Sequence, residues 1–214
     1  MRLPLTAIAC ALVVVTSGAS CVPAPVSTYT PPAPPPPPVV ALASVERPQS
    51  AKERYGPPKI STIDDSGVTK YSFEDSLVSV VIFPGEKEFD FVMLNKTDHT
   101  VKLVWDDAAI VGIDGTSDRV IHAGVKYTDK ARPQAPSIIV RRGKLSDLAA
   151  PAGNISWVYN HWYTAPLVPS GANLSGGKQL QLLLPLEIEG VENEYLFTFS
   201  VTAPGSTVPP VTGS

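Results

Sequence analysis

From Gly67 onward, apolar and polar residues alternate in short runs that turn residues separate, the pattern of half-buried β-strands. Tyr71 and Phe73 open the series, and Leu77 to Phe83 forms a fuller apolar run that stops at Pro84-Gly85, as in a strand buried on both sides or near the centre of a sandwich. Phe89, Phe91 and Met93 then alternate with Asp90, Val92 and Leu94. The longest run places Leu180, Leu182, Leu184, Leu186 and Ile188 on one face. After a turn at Gly190 to Asn193, Tyr195, Phe197, Phe199 and Val201 repeat the same period. Pro185 removes one ladder donor, which predicts an edge strand or a bulge there. No long 3.6-residue period with caps occurs, so the chain is expected to be all-β, a single antiparallel β-sandwich with at most one helical turn, near Leu145–Leu148.

The centre of the pattern is Asn95–Tyr127. It holds a turn at Lys96-Thr97-Asp98, a run with Val101, Leu103 and Trp105 on one side, an Asp114-Gly115 turn and a second apolar run at Val120-Ile121. Trp105 is expected in the core, immediately before the chain leaves the ladder at Asp106-Asp107.

The beginning of the chain follows other rules. Met1-Arg2 and the apolar run Leu3 to Val15 have the form of a signal peptide, too short to span a bilayer. Thr16 to Cys21 resembles the lipobox of bacterial lipoproteins, with Gly18 where that family usually carries Leu. The resemblance implies that Cys21 is diacylated and becomes the new N-terminus, and two acyl chains anchor stably. Pro31-Pro32 and the run Pro34 to Pro38 fix φ and remove donors, which makes a semi-rigid polyproline II spacer. The organisation read from these signals is a lipoprotein signal peptide at 1–20, a lipidated Cys and Pro-rich linker at 21–64, a sandwich at 65–203 and a flexible tail at 204–214.

Composition narrows the partners. The net charge of −3 and a charged fraction of 17% leave no basic surface for nucleic acid. Most of the 23 prolines precede residue 60, which separates spacer from domain rather than marking a uniformly disordered chain. Cys10 would leave with the signal peptide and Cys21 would carry lipid, so the stability of the mature chain must come from its core rather than from a disulfide.

Chemistry-bearing residues are sparse. Asp98, His99, Asp106, Asp107 and His122 lie close in sequence, but their spacing matches no compact zinc or calcium motif; turn capping accounts for Asp98 and Asp107, and His122 closes a strand. The chain has no G-x-S-x-G elbow, H-E-x-x-H or P-loop; a hydrolase would need a buried His beside a Ser or a carboxylate. No catalytic residue, metal or cofactor is assigned, and the protein is expected not to be an enzyme. The three N-x-S/T triplets, at Asn95, Asn154 and Asn173, are read as chance matches to the glycosylation pattern, and Arg141-Arg142-Gly143-Lys144 as a solvated turn. The pattern-poor stretch from Thr128 to Gly177 carries Trp157, Tyr159, Trp162 and Tyr163. Such a group can stack on sugar rings or anchor a protein partner, or it can close the open end of the core.

The wording NKTDHTVKLVWDD, RVIHAGVKY, PQAPSIIV and LPLEIEGVENEY, spread between Phe73 and Val201, is similar to a group of small bacterial lipoproteins with an immunoglobulin-like β-sandwich and no assigned activity. The likeness implies that fold and a place in the bacterial cell envelope. Val22 rather than Asp follows the cysteine. In double-membrane bacteria that implies the outer membrane, facing the periplasm. The expected partners are the membrane, through the anchor, and an envelope protein or a glycan.

Overall fold

Phe89, Phe91, Met93 and Asn95 are buried while Asp90, Val92 and Leu94 between them are exposed, so a period of two assigns one strand's two faces. The same rule builds almost the whole of a computed structural model of the chain, which describes residue 33, residues 36–48 and residues 52–206. The expected signal peptide, Cys21, most of the proline tract and the end of the tail lie outside the described residues.

In chain order the strands are β1 (Val39–Glu46), β2 (Lys59–Asp65), β3 (Val68–Glu74), β4 (Val78–Pro84), β5 (Phe89–Asn95), β6 (Val101–Leu103), β7 (Ala109–Val111) and β8 (Ser117–Ile121). They continue as β9 (Ser137–Ile139), β10 (Lys144–Pro151), β11 (Ile155–Val158), β12 (His161–Thr164), β13 (Lys178–Ile188) and β14 (Val191–Thr202). One short helix, α1 (Lys52–Tyr55), and two 3-10 turns, Tyr127–Asp129 and Ala152–Asn154, are the helical segments among the described residues. The protein is all-β.

Twelve strands form one large antiparallel sheet in the order β1-β14-β13-β7-β8-β10-β5-β4-β3-β2, with β6 joining β13 and β9 joining β6. The sheet curls until its two arms face each other. Phe73 of β3 meets Tyr195 and Phe197 of β14 edge-on at 5.9 and 5.8 Å, and Phe89 of β5 lies 4.9 Å from Phe199. The pairs Ala150↔Ile121 and Pro151↔Val120, between β10 and β8, join the arms into one sheet. The core between them is continuous, running from Ala41 and Leu42 through Met93, Leu103 and Trp105 to Leu182 and Val201.

Three expectations change. The proposed linker at 21–64 enters the fold: β1 pairs with β14 and buries Ala41, Leu42 and Val45, and β2 pairs with β3. A bulge between Leu42 and Ser44 breaks the two-residue period in β1, so alternation does not betray it. The helical turn at Leu145–Leu148 is instead part of β10. Leu145 packs on the main core and Leu148 on a second cluster across the sheet, so a strand covered on both sides mimics a helical spacing.

Pro185 is the third. It lies inside β13, which pairs with β14 along its full length and on its other side with β6 and β7. β6 takes Leu186–Ile188 and β7 takes Gln181–Leu183, so the second ladder is interrupted at Pro185. Val104 N–H donates to the Pro185 carbonyl at 3.0 Å, which fixes the side that residue faces. The missing N–H therefore falls in the gap between two partner strands, and a central strand tolerates the proline.

Candidate functional site

Tyr159 and Asn160 both have positive φ, 48° and 64°, the geometry of a two-residue turn whose twist suits a tight hairpin. That turn joins β11 and β12 into a two-stranded sheet of their own, separate from the main sheet. Ile155↔Thr164, Ser156↔Tyr163, Trp157↔Trp162 and Val158↔His161 are the opposed pairs.

The hairpin is fixed at its base. Ala165 N–H donates to Asn154 O at 2.8 Å, and the Asn154 amide reaches back to the Pro166 carbonyl at 3.2 Å. Lys130, just after the first 3-10 turn, donates to the carbonyls of Ala152 and Ile155. Gly153 N–H donates to the Asp118 carboxylate so closely that a Cβ at Gly153 would collide with it. Ile155 is buried with Ile121, Ala150 and Ala152, and Trp162, Val125 and Leu148 pack against that group.

Because opposed residues share a face, Ile155, Trp157 and Trp162 point one way while Ser156, Val158, His161 and Tyr163 point the other. The four aromatics of the sequence analysis are thus not one platform. Trp162 is half-buried and serves as a lid on the second cluster, whereas Trp157 is 57% exposed, Tyr163 48% and Tyr159, at the tip, 92%. Trp157 and Trp162 meet edge-on at 5.2 Å, and Trp162 meets Tyr127 edge-on at 5.6 Å. Tyr127 is the member that sequence reasoning missed. It stands thirty residues upstream of Trp157, and the Lys130 contacts to the hairpin base, with Val125 packed on the second cluster, bring its turn alongside. Chemically the array Tyr127–Trp162–Trp157 offers ring faces and edges on a fixed frame, with little charge of its own, suited to stacking and to apolar packing.

The other sequence candidates are dispersed. Asp98 pairs with Arg142, Asp106 with Arg119, and His99 with Glu189, all at exposed positions. His161 faces the Tyr159 carbonyl. His122 is different: its Nδ1–H donates to Asp147 Oδ2 at 3.2 Å, and its ring lies stacked on Trp105. The other Asp147 oxygen accepts the N–H groups of Ala123 and Leu148. A carboxylate partner is half of what a hydrolase needs; among the described hydrogen bonds, none joins His122 to a hydroxyl nucleophile.

A shallow cleft of ≈ 330 Å³ lies between the Gly112–Gly115 turn and Gly176–Gln181. Its one carboxylate, Asp114, is held below the usual carboxylate range by the Thr116 N–H and then by the Thr116 hydroxyl, so it is committed to its own turn.

No family model matches this chain, and no curated protein matches it. The chain is similar to the X-ray structure of Northeast Structural Genomics Consortium target SoR45 at 12% identity, with a TM-score of 0.28, over 78% of this chain and 92% of that one.

Proposed function

We propose that the protein is a lipid-anchored, non-enzymatic component of a bacterial cell envelope, and that it binds another envelope component through the β11–β12 hairpin. An acylated Cys21 is its membrane attachment, on the outer membrane facing the periplasm, and the curled sheet is an immunoglobulin-like β-sandwich. The proline-rich spacer expected from the sequence precedes β1, which begins at Val39. The observation that carries the reading is the hairpin: a rigidly based element that presents Trp157, Tyr159 and Tyr163 to solvent rather than to the core.

Metabolic labelling with a clickable fatty acid tests the anchor. Label should enter the wild type and not Cys21→Ala, and an unlabelled, soluble wild type would end that part of the reading. For the binding element, purified protein is co-sedimented with isolated envelopes, and Trp157→Ala with Tyr159→Ser should weaken the association while leaving the melting temperature in place.

A second reading, a carbohydrate-binding module, draws on the edge-on Tyr127–Trp162–Trp157 array, whose solvent-facing rings offer apolar faces to a sugar ring. Peptidoglycan and other glycan fragments should then shift tryptophan emission, and Trp157→Ala should remove most of the shift. A silent emission spectrum across a broad glycan panel would leave only the protein-partner form.

A further inference from the structure

We propose that the free edge of β2 pairs with β2 of a second copy of this chain, antiparallel and centred on Thr62, extending the sheet across two molecules. β2 is the last strand of the sheet, and none of its seven residues is buried. The tip of the ribbon it makes with β3 exposes Ile63 and Val68 as well, while Ile60 near the other end packs against the core, so the outer half of β2 is held by its ladder to β3.

The backbone direction follows from the turn. Ser66 and Gly67, with φ of 56° and 84°, form a two-residue turn that closes on the pair Asp65↔Val68. Asp65, Ile63 and Ser61 therefore direct N–H and C=O toward β3. Ile60, Thr62 and Asp64 direct theirs outward, where the described chain offers no partner strand. An exposed edge of this length is a template for a further strand.

The side chains select the occupant and the register. A two-fold pair centred on Thr62 matches all seven residues, sets Thr62 against Thr62 and Ile60 against Asp64, and places Lys59 opposite Asp65 at both ends. Centring on Asp64 would set two carboxylates face to face. Centring on Ser61 would set Asp64 against Pro58, which has no N–H to give. Lys59 makes no ion pair among the described residues, while Asp65 holds Lys70 at 2.7 Å with one oxygen and with the other accepts only the long, exposed Ser66 hydroxyl contact at 3.4 Å. Opposite charges at the two ends of one strand make that strand complementary to itself in antiparallel orientation.

The test is cysteine linkage in the full chain, expressed in its own envelope. In a hydrogen-bonded pair the two Thr62 Cα atoms would lie about 5.5 Å apart, within disulfide reach, while copies of Ile60 or of Asp64 would lie roughly 13 Å apart. Wild type, whose cysteines are Cys10 and Cys21, sets the background. Thr62→Cys should give a disulfide-linked dimer several-fold above that background, and Ile60→Cys and Asp64→Cys should not. Lys59→Asp added to Thr62→Cys should lower the yield, and Asp65→Lys added to both should restore it by exchanging the charges. Equal linkage at all three positions, linkage of Thr62→Cys to a different protein, or no linkage from chains that melt as wild type does would each overturn the proposal.

Discussion

The Trp105 indole lies flat on the His122 imidazole, with ring centres 4.3 Å apart and planes 2° from parallel. Trp105 is fully buried, its indole N–H donates to the Ser137 hydroxyl at 2.9 Å, and Phe91 of the opposite arm packs 6.2 Å away. One side chain thus ties the β6–β7 turn to β9, β5 and the end of β8. Trp105→Ala should cost about 3–5 kcal/mol, a large share of the stability of a domain of this size. Trp162→Ala, half-buried over the second cluster, should cost clearly less. Thermal melting of the two variants checks this ranking, and equal melting temperatures would refute it.

Asp147 organises His122 rather than the reverse. It satisfies two backbone N–H groups with one oxygen and the imidazole with the other, and its side chain is almost fully buried. Asp147→Ala leaves three donors without their acceptor and should cost about 1–3 kcal/mol, whereas His122→Ala loses a stacked ring worth about 0.5–1.5 kcal/mol. Denaturant unfolding ranks them. A larger loss for His122→Ala would show that the imidazole is the organising group.

Arg47 and Asp75 form a buried ion pair at 3.2 Å that joins the end of β1 to the β3–β4 turn. Asp75 also accepts the N–H groups of Leu77 and Val78 and the Tyr195 hydroxyl, and the Arg47 guanidinium lies over the Tyr55 and Phe73 rings. Burial first, and then the Asp75 charge, raise the Tyr195 hydroxyl far above its ordinary range, so it remains a donor at every pH of interest. Removing either member of a buried pair strands the other, at about 3–5 kcal/mol. Arg47→Met should fall in that range by equilibrium unfolding, and so should Asp75→Ala. A neutral Arg47→Met would mean that the segment after β1 is not locked to the domain.

Asp90 carries a pH signature. Its carboxyl faces outward from β5, opposite Phe83 and Leu148, and burial by its neighbours raises it above the usual carboxylate range; burial, and then the Asp90 charge, raise Glu88 as well. The folded chain then holds that proton more tightly than the unfolded chain does. This contribution is present below the unfolded value and is lost as pH rises through the folded one. Asp90→Asn should accordingly melt higher than wild type at pH 7, and the difference should close below about pH 4. A difference that persists at pH 3 would assign the effect to packing instead.

The long alternations at Phe89–Asn95 and Leu180–Val201 were legible because a period of two is imposed by the pleat itself, whatever packs on it. β1 was not: a bulge interrupts its period, and small residues, Ala41, Ala43 and Ser44, stand where bulky ones would advertise a strand. Leu145 and Leu148 misled for the opposite reason, since each is covered on its own face of β10. At the hairpin, the aromatic cluster was visible in the sequence as composition. Its division between a lid, Trp162, and exposed rings, Trp157, Tyr159 and Tyr163, depends on strand pairing, and the arrival of Tyr127 depends on contacts of Lys130, beside its turn, with carbonyls 22 and 25 residues further along the chain.

The central claim is that the β11–β12 hairpin is the surface that meets the partner. A photo-crosslinking amino acid placed at Tyr159, the most exposed aromatic among the described residues, reports on this in living cells, with the same probe at Thr69 on the β2–β3 ribbon as reference. The account predicts that irradiation from position 159 captures one predominant envelope component, identified by mass spectrometry, that position 69 does not capture and that Trp157→Ala diminishes. Identical products from the two positions, or none from 159 in cells where the protein is folded and anchored, would contradict it.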